Sequence, residues 1–131
     1  MEPFVQKSRY ISDRLSYLDI EIPFENGKKQ NFRIFNAYGP TQEKAKQSPN
    51  MLEKFYSELQ CAIDKTPKST KLWILGDLNA QLGKIESPEE GKVIGRYSFG
   101  ERNENGENLH HLLLSNFLLQ SLHASKIKTK I

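Results

Sequence analysis

The chain has 131 residues, which is enough for one modest domain with a hydrophobic core. Hydrophobic residues make up 37% of it, and seven Phe, five Tyr and one Trp argue against a disordered chain. Nineteen Lys and Arg against sixteen Asp and Glu give a net charge of +3, which permits a nucleic-acid partner without requiring one.

One cysteine, Cys61, is present, so an internal disulfide and a zinc site built from cysteines are excluded. It falls on the apolar side of a predicted helix, and we expect a buried structural thiol. The first residues lack the pattern of a signal peptide, and no apolar run reaches membrane-spanning length. These features predict an intracellular protein, nuclear or cytoplasmic, with neither a membrane nor a disulfide-linked partner.

The first third of the chain predicts a β-hairpin. Residues 1–13 carry no clear periodicity and are expected to form an irregular lead-in. From 14 to 22, apolar and acidic residues alternate, which predicts a strand with one exposed face. Asn26-Gly27 is a strong hairpin signal. Residues 30–38 then predict the partner strand, which is apolar on both faces and therefore more interior.

A helix follows after a polar loop. Ser48-Pro49 has the form of an N-cap with proline at the first helical position, and Pro67 limits the helix at its other end. Steps of three and four residues separate the apolar side chains that predict one buried stripe: Leu52, Phe55, Tyr56, Leu59, Ala62 and Ile63.

The next segment combines a buried strand with a polar pair. Apolar residues 72–75 run into Gly76, and Asp77 and Asn79 follow. If the backbone stays extended, the two polar side chains project to the same side, and Gly76 permits another backbone to approach closely. A carboxylate and an amide at this point suit a metal ion or a phosphate. An ordinary turn, which both residues favour, is the alternative.

The remainder predicts a long loop, a helix and a final strand. Residues 81–102 have the composition of a loop, with a short strand at 92–94. Acidic residues before a leucine-rich stretch predict a helix that Asn116 ends, followed by a strand over 117–122 and a solvated edge over 126–131. Because hairpin and crossover connections are mixed, we expect an α/β fold with a sheet covered by helices.

Polar side chains stand at the ends of two predicted strands. Tyr38 closes the second strand, with Thr41 shortly after it, and Asp77 and Asn79 close the central one. If these strands are neighbours, the side chains meet at one rim of the sheet. Tyr38, Thr41 and Asn79 can then donate hydrogen bonds to a phosphate. Asp77 can hold a divalent cation or orient a water molecule.

The motifs that carry these residues resemble a known family. Residues 36–41 (Asn-Ala-Tyr-Gly-Pro-Thr), then a helix, then 76–79 (Gly-Asp-Leu-Asn) resemble the middle of the endonuclease/exonuclease/phosphatase superfamily, which includes deoxyribonuclease I. Residues 100–107 (Gly-Glu-Arg-Asn-Glu-Asn-Gly-Glu) are similar to endonuclease domains of non-long-terminal-repeat retrotransposons and to craniofacial development protein 2-like proteins. The likeness predicts an incomplete domain over 14–122 and a divergent basic tail over 123–131.

The resemblance implies a deoxyribonuclease I-like four-layer α/β sandwich that cleaves DNA phosphodiester bonds with Mg²⁺. It implies that Tyr38 hydrogen-bonds the scissile phosphate, and that Asp77 orients the attacking water or contacts the metal. Asn79 would contact a phosphate oxygen, and Thr41 stands where many members of the family carry another phosphate-binding residue.

Other polar residues are not assigned to the chemistry. Arg102 and Asn103 match the retrotransposon subgroup, and we favour loop packing and helix capping over a chemical role for them. His110, His111 and His123 do not match the catalytic histidine of the family. We expect one of the first two to be solvated and the other to be partly packed.

The sequence also departs from the family pattern. The family has an early strand bearing a metal-binding glutamate and a late Ser-Asp-His segment, and neither has a counterpart here. We therefore expect a partial sandwich truncated at both ends, with weak Mg²⁺ binding at Asp77 and negligible activity when alone. A non-catalytic relic and a weak nucleic-acid-binding module are the alternatives.

Overall fold

Five strands form one mixed sheet in the computed structural model, which describes residues 5–94, 100–123 and 127–129, with 117–123 and 127–129 described by their backbone alone. In their order across the sheet, the strands are β1 (Val5–Ser12), β2 (Leu15–Pro23), β3 (Lys29–Tyr38), β4 (Lys71–Asp77) and β5 (Ile127–Thr129). The first three strands pair antiparallel, whereas β3 with β4 and β4 with β5 pair parallel.

The predicted hairpin is confirmed. β2 and β3 pair without interruption from Leu15 opposite Ala37 to Pro23 opposite Lys29. The turn between them contains Gly27 at a φ of 79°, a left-handed conformation that glycine adopts without a steric cost. β3 is the middle strand of the sheet, which confirms that it is the more interior of the two.

The irregular lead-in expected over residues 1–13 is wrong for residues 5–12, and residues 1–4 lie outside the described part. Val5–Ser12 is a strand that pairs antiparallel with β2, with two register shifts along its length. Its side chains are almost all exposed, so no hydrophobic alternation marks it in the sequence. Backbone pairing with β2 defines this strand instead.

In the part of the chain that the structure describes, three α-helices accompany the sheet: α1 (Gln42–Gln47), α2 (Pro49–Asp64) and α3 (Glu104–His123). α2 begins directly after Ser48, and all six side chains of its predicted stripe are buried. α1 was not expected, because a helix of six residues with Ala45 as its buried residue leaves no periodic pattern.

The thiol of Cys61 is exposed, so the expected buried cysteine is wrong. Leu59 and Ala62 on either side of it are buried. Cys61 follows Leu59 by two residues, which is about 200° around a helix, and it therefore points away from the buried stripe.

The core lies between α2, α3 and one face of the sheet. β2, β3 and β4 each have two buried residues at alternate positions, and the residues between them are half-buried or exposed. The cluster contains, among others, Leu15, Tyr17, Phe35, Ala37, Leu72 and Ile74 of the sheet, with Leu109, Leu112 and Leu113 of α3. This packing confirms an α/β fold in which helices cover the sheet.

Two predicted strands in the second half are wrong. α3 continues through Asn116 to His123, so no strand forms over 117–122. Asn116 is accommodated inside the helix because its amide donates 2.6 Å to the Leu112 carbonyl and pairs with Gln60. Residues 90–92 form a 3₁₀ turn instead of the strand expected at 92–94.

The C-terminal segment is only partly described. Within the predicted basic tail 123–131, the backbone of Ile127–Thr129 forms the edge strand β5 beside β4, and residues 124–126 and 130–131 lie outside the described part. No helix among the described residues is long and apolar enough to span a membrane.

Candidate functional site

Tyr38 and Asp77 lie opposite each other at the last positions of two neighbouring strands. They are the final pair in the parallel register of β3 and β4, so both stand at the same edge of the sheet. Both are exposed, and the Tyr38 side chain is 48% accessible. The sequence-based expectation that these two residues meet at one rim is confirmed.

Asn79 reaches this rim by a turn. β4 ends at Asp77, and Asn79 has a φ of 50°, so the backbone does not stay extended to Asn79 and the turn given as the alternative forms here. The Asp77 Oδ1 accepts a hydrogen bond of 2.9 Å from the Asn79 backbone nitrogen. Asparagine tolerates this left-handed conformation better than most residues, which explains its place in the turn.

The Asn79 side chain joins the two loops that leave the sheet. Its Nδ2 donates 2.7 Å to the Gly39 carbonyl, and the Gly39 nitrogen donates 2.8 Å to the Asp77 carbonyl. One amide hydrogen of Asn79 is thus used within the protein. Within the described part of the chain, the second amide hydrogen and the Oδ1 have no other partner.

Thr41 serves first as the N-cap of α1. Its Oγ1 accepts a hydrogen bond of 3.3 Å from the Lys44 nitrogen, and its backbone is extended. Among the described residues, the Thr41 hydroxyl hydrogen has no acceptor. Of the four predicted residues, Tyr38 and Asp77 are register partners, and Asp77 and Asn79 share a hydrogen bond. Thr41 lies three residues beyond Tyr38, in the loop that Asn79 holds through the Gly39 carbonyl.

Two glycines let the backbones come this close. A Cβ at Gly39 would lie 2.2 Å from the Leu78 carbonyl oxygen, and a Cβ at Gly76 would lie 2.1 Å from that of Ala37. Gly76 also has a φ of 121°, which side chains disfavour. The close approach predicted at Gly76 is confirmed.

Sequence reasoning missed Arg14. Its Nη1 donates 3.3 Å to the Tyr38 carbonyl, its guanidinium lies 5.3 Å from the centre of the Tyr38 ring, and its own carbonyl accepts 2.8 Å from the Tyr38 nitrogen. The hairpin register could have found it, since Leu15 opposite Ala37 brings the preceding residue next to Tyr38. Arg14 therefore places a positive charge beside the tyrosine.

Asp77 is a potential cation ligand at the rim. The Asp77 Oδ2 makes no hydrogen bond within the described residues and is exposed, so it suits a hard cation. Over the same described part of the chain, no group of three or more His, Cys, Asp and Glu side chains is placed to hold a metal ion. One carboxylate supplies one of the several oxygen ligands that a magnesium ion takes.

Comparison with known proteins gives one clear likeness. The chain is 35% identical to a Bos taurus protein over 107 residues, and 34% identical to a Tragulus javanicus protein over 100 residues. Both are craniofacial development protein 2. The chain is similar to that protein over 77% and 72% of its own length, as residues 100–107 indicated.

The similarity covers only part of the relatives. The chain spans 17% of the Bos taurus craniofacial development protein 2 and 16% of the Tragulus javanicus one. No family model matches the chain. No solved structure matches it.

Arg102 and two histidines lie away from the rim. The Arg102 Nη1 lies 3.0 Å from Glu90 Oε1, and the Arg102 Nε donates a hydrogen bond of 2.7 Å to the Leu82 carbonyl. His110 Nε2 lies 3.2 Å from the same Glu90 oxygen. His110 is buried, and His111 is exposed beside Glu107, as predicted for one packed and one solvated histidine.

This cluster holds the long loop onto α3. The guanidinium of Arg102, the backbone nitrogen of Glu86 and the charge of His110 together lower the pKa of Glu90, against the opposing effect of its burial. Loop packing, the favoured interpretation of Arg102, is confirmed. The side chain of His123 lies outside the described part.

Proposed function

We propose that this chain is the central part of a magnesium-dependent DNA endonuclease domain of the endonuclease/exonuclease/phosphatase superfamily, derived from a retrotransposon. A deoxyribonuclease I-like four-layer α/β sandwich would be its complete form. One observation carries the proposal: Tyr38 and Asp77 form the last register pair of two neighbouring parallel strands, in the two motifs that resemble this superfamily. Ligands of open α/β sheets commonly bind at this carboxyl edge.

Each rim residue has a role in binding a phosphodiester. The exposed Tyr38 hydroxyl donates a hydrogen bond to a phosphate oxygen, and the Arg14 guanidinium beside it adds positive charge. Asn79 offers its second amide hydrogen, and Thr41 its hydroxyl hydrogen. Asp77 uses Oδ1 to hold the turn and leaves Oδ2 for a water molecule or a cation. A bound Mg²⁺ supplies charge that stabilises the phosphate oxygens.

The rim by itself is too poor in donors for efficient cleavage. Asp77 is the one carboxylate that the register places opposite Tyr38. His110 is committed to Glu90 and Arg102, and His111 lies beside Glu107, so neither takes a proton at the rim. Proton-transfer help is typically worth about 10²–10⁴-fold in rate. We therefore expect phosphate binding with negligible cleavage from this chain alone.

Fluorescence anisotropy of a labelled DNA duplex tests the proposal. At constant ionic strength, we expect Mg²⁺ to strengthen binding, because a cation held by Asp77 bridges to a phosphate. Mg²⁺ that acts only as a counterion would weaken binding instead, which makes the direction of the effect informative. Asp77→Ala should remove the strengthening, and Tyr38→Phe should weaken binding with and without Mg²⁺.

Supercoiled plasmid incubated with the chain and Mg²⁺ completes the test. We expect no nicking above background. Nicking that Asp77→Ala abolishes would show that the rim is a more complete site than we propose. Duplex binding that neither Mg²⁺ nor Asp77→Ala alters would contradict the proposal.

The second candidate is a weak nucleic-acid-binding module without catalysis. The exposed strand β1 favours it, because Lys7 and Arg9 lie on an open sheet edge and add to the net charge of +3. For such a module we expect steep salt dependence of binding, with Lys7→Gln and Arg9→Gln weakening it and Asp77→Ala having no effect. A non-catalytic relic would bind no DNA.

A further inference from the structure

Two asparagines at the start of α3 contact both loops of the rim. Asn105 is 1% exposed, and its Nδ2 donates 2.6 Å to the Pro40 carbonyl in the loop after Tyr38. The backbone carbonyl of Asn105 accepts a hydrogen bond of 3.1 Å from the Tyr56 hydroxyl on α2. This bond fixes the backbone that carries the Asn105 side chain. Because the buried Asn105 side chain is hydrogen-bonded to the Pro40 carbonyl, the loop at Pro40 has little freedom to move.

Asn103 holds the other loop. Its Oδ1 accepts 2.7 Å from the Gly106 nitrogen, as an N-cap does, and also 3.0 Å from the Gln81 nitrogen. Its Nδ2 lies 3.4 Å from the Asn79 carbonyl, and its backbone nitrogen donates 3.1 Å to the Gln81 carbonyl. The loop after Asp77 is therefore bound to the first turn of α3 at several points.

Gly106 permits this contact. A Cβ at this position would lie 1.8 Å from the Gln81 carbonyl oxygen, so the loop backbone rests directly on the helix. The stretch Arg102–Gly106 thus contacts both loops of the rim, and it begins with Arg102 and Asn103, for which the sequence predicted loop packing and helix capping.

We propose that Asn103 and Asn105 are positioning residues for the rim: they fix the loop that follows Tyr38 and carries Thr41 relative to the loop that follows Asp77 and carries Asn79. The hydrogen bonds above support the positioning of the two loops. The expected effect of that positioning on phosphate binding rests on the proposed function. Tight geometry matters because a phosphate must meet hydrogen-bond donors from both loops at once.

The test compares Asn103→Ser, Asn105→Ala and the control Asn108→Ala. Serine preserves an N-cap oxygen but loses the Nδ2 donor to Asn79. Asn108 lies on the same helix, and its Nδ2 also donates to a backbone carbonyl, that of Glu104 at 3.0 Å, but among the described residues its side chain has no hydrogen bond to either loop. We expect Asn103→Ser and Asn108→Ala to unfold within about 5 °C of the parent chain.

Two measurements are made on each variant. Backbone amide NMR signals report the two loops, and anisotropy reports the Mg²⁺-dependent gain in duplex affinity. We expect Asn105→Ala to shift the signals of Gly39 and Thr41, and Asn103→Ser those of Asn79 and Gln81. Each should reduce the Mg²⁺-dependent gain by about two- to tenfold, the range of one net hydrogen bond. Asn108→Ala should change neither measurement.

The two measurements separate this inference from the proposed function. Loop signals that stay in place in Asn103→Ser and Asn105→Ala would overturn the positioning role, whatever the DNA result. Shifted signals with an undiminished Mg²⁺-dependent gain would overturn it as well. If the parent chain shows no such gain, the proposed function fails, and the loop signals alone decide whether the asparagines hold the two loops.

Discussion

The carboxylate of Asp77 holds the backbone of Asn79 with one oxygen and leaves the other oxygen free of hydrogen bonds within the described residues. The bond from the Asn79 nitrogen to Oδ1 measures 2.9 Å and closes the turn that brings the asparagine to the rim. One side chain thus has a structural task and, in our proposal, a ligand-binding task, and substitutions can separate them.

Asp77→Asn and Asp77→Ala should therefore differ in stability and agree in function. Asparagine keeps an oxygen for the turn, so we expect its free energy of unfolding to lie within about 0.5 kcal/mol of the parent chain. Alanine loses the hydrogen bond and should cost about 1 kcal/mol. Both should abolish the Mg²⁺-dependent gain in duplex affinity. Urea denaturation measures the effect on stability, and anisotropy measures the effect on duplex affinity. An unaltered Mg²⁺-dependent gain in Asp77→Asn would show that the gain does not depend on the negative charge of Asp77.

Arg14 should contribute to DNA affinity through its charge. Arg14→Gln removes the cation beside the Tyr38 ring, and we expect the slope of log affinity against log salt to fall by about 1. Arg14→Lys keeps the charge and should preserve most of that slope. Lys28→Gln, in the exposed hairpin turn at the N-terminal end of β3, is the control. An equal decrease of the salt slope in the Arg14→Gln and Lys28→Gln variants would mean that Arg14 contributes only to the overall charge of the protein.

Gly76→Ala should be strongly destabilising. The new Cβ would lie 2.1 Å from the Ala37 carbonyl oxygen, in a backbone that already has a φ of 121°, so the two strands must separate. We expect a loss of about 2–4 kcal/mol in the free energy of unfolding, measured by urea denaturation. Gly91→Ala is the matched control, because its Cβ would meet its nearest atom at 4.0 Å. A loss of similar size in both variants would contradict the close approach at Gly76.

The cluster around Glu90 should make stability depend on acid pH. Its pKa is lowered chiefly by the hydrogen bond from Arg102, so the folded protein binds this proton less readily than the unfolded chain does. The stabilisation is present above the ordinary pKa of a glutamate and is lost as the pH falls through the lowered value. Glu90→Gln should therefore flatten the decline in unfolding free energy between about pH 5 and about pH 3.

Glu89→Gln is the control for this experiment, because Glu89 is the exposed neighbour of Glu90. We expect its unfolding free energy to follow the parent curve across the acid range. At neutral pH, Glu90→Gln should also be less stable than Glu89→Gln, since it removes the nearer carboxylate partner of the half-buried Arg102, at 3.0 Å, and leaves Glu107 at 3.6 Å. Identical acid slopes in the two variants would contradict the assignment of the slope to Glu90.

Elements with a strong local pattern could be predicted. The stripe on α2, the Asn-Gly hairpin and the apolar run of β4 each follow from periodicity within a few residues. β1 could not be predicted, because its side chains are almost all exposed and show no hydrophobic alternation. Its conformation depends on backbone pairing with β2. α3 extends past Asn116 because Gln60, distant in sequence, satisfies the asparagine amide.

The sequence by itself determined that Tyr38 and Asp77 end strands and that Gly76 permits another backbone to approach closely. Which side chains hold that rim together was decided only by the tertiary structure: Arg14 against Tyr38, Asn79 against Gly39, and the asparagines of α3 against both loops. The physical reason is that strand ends follow from local hydrophobic pattern and turn chemistry. A hydrogen bond between distant residues depends on where packing places its donor and acceptor, and no local pattern records that.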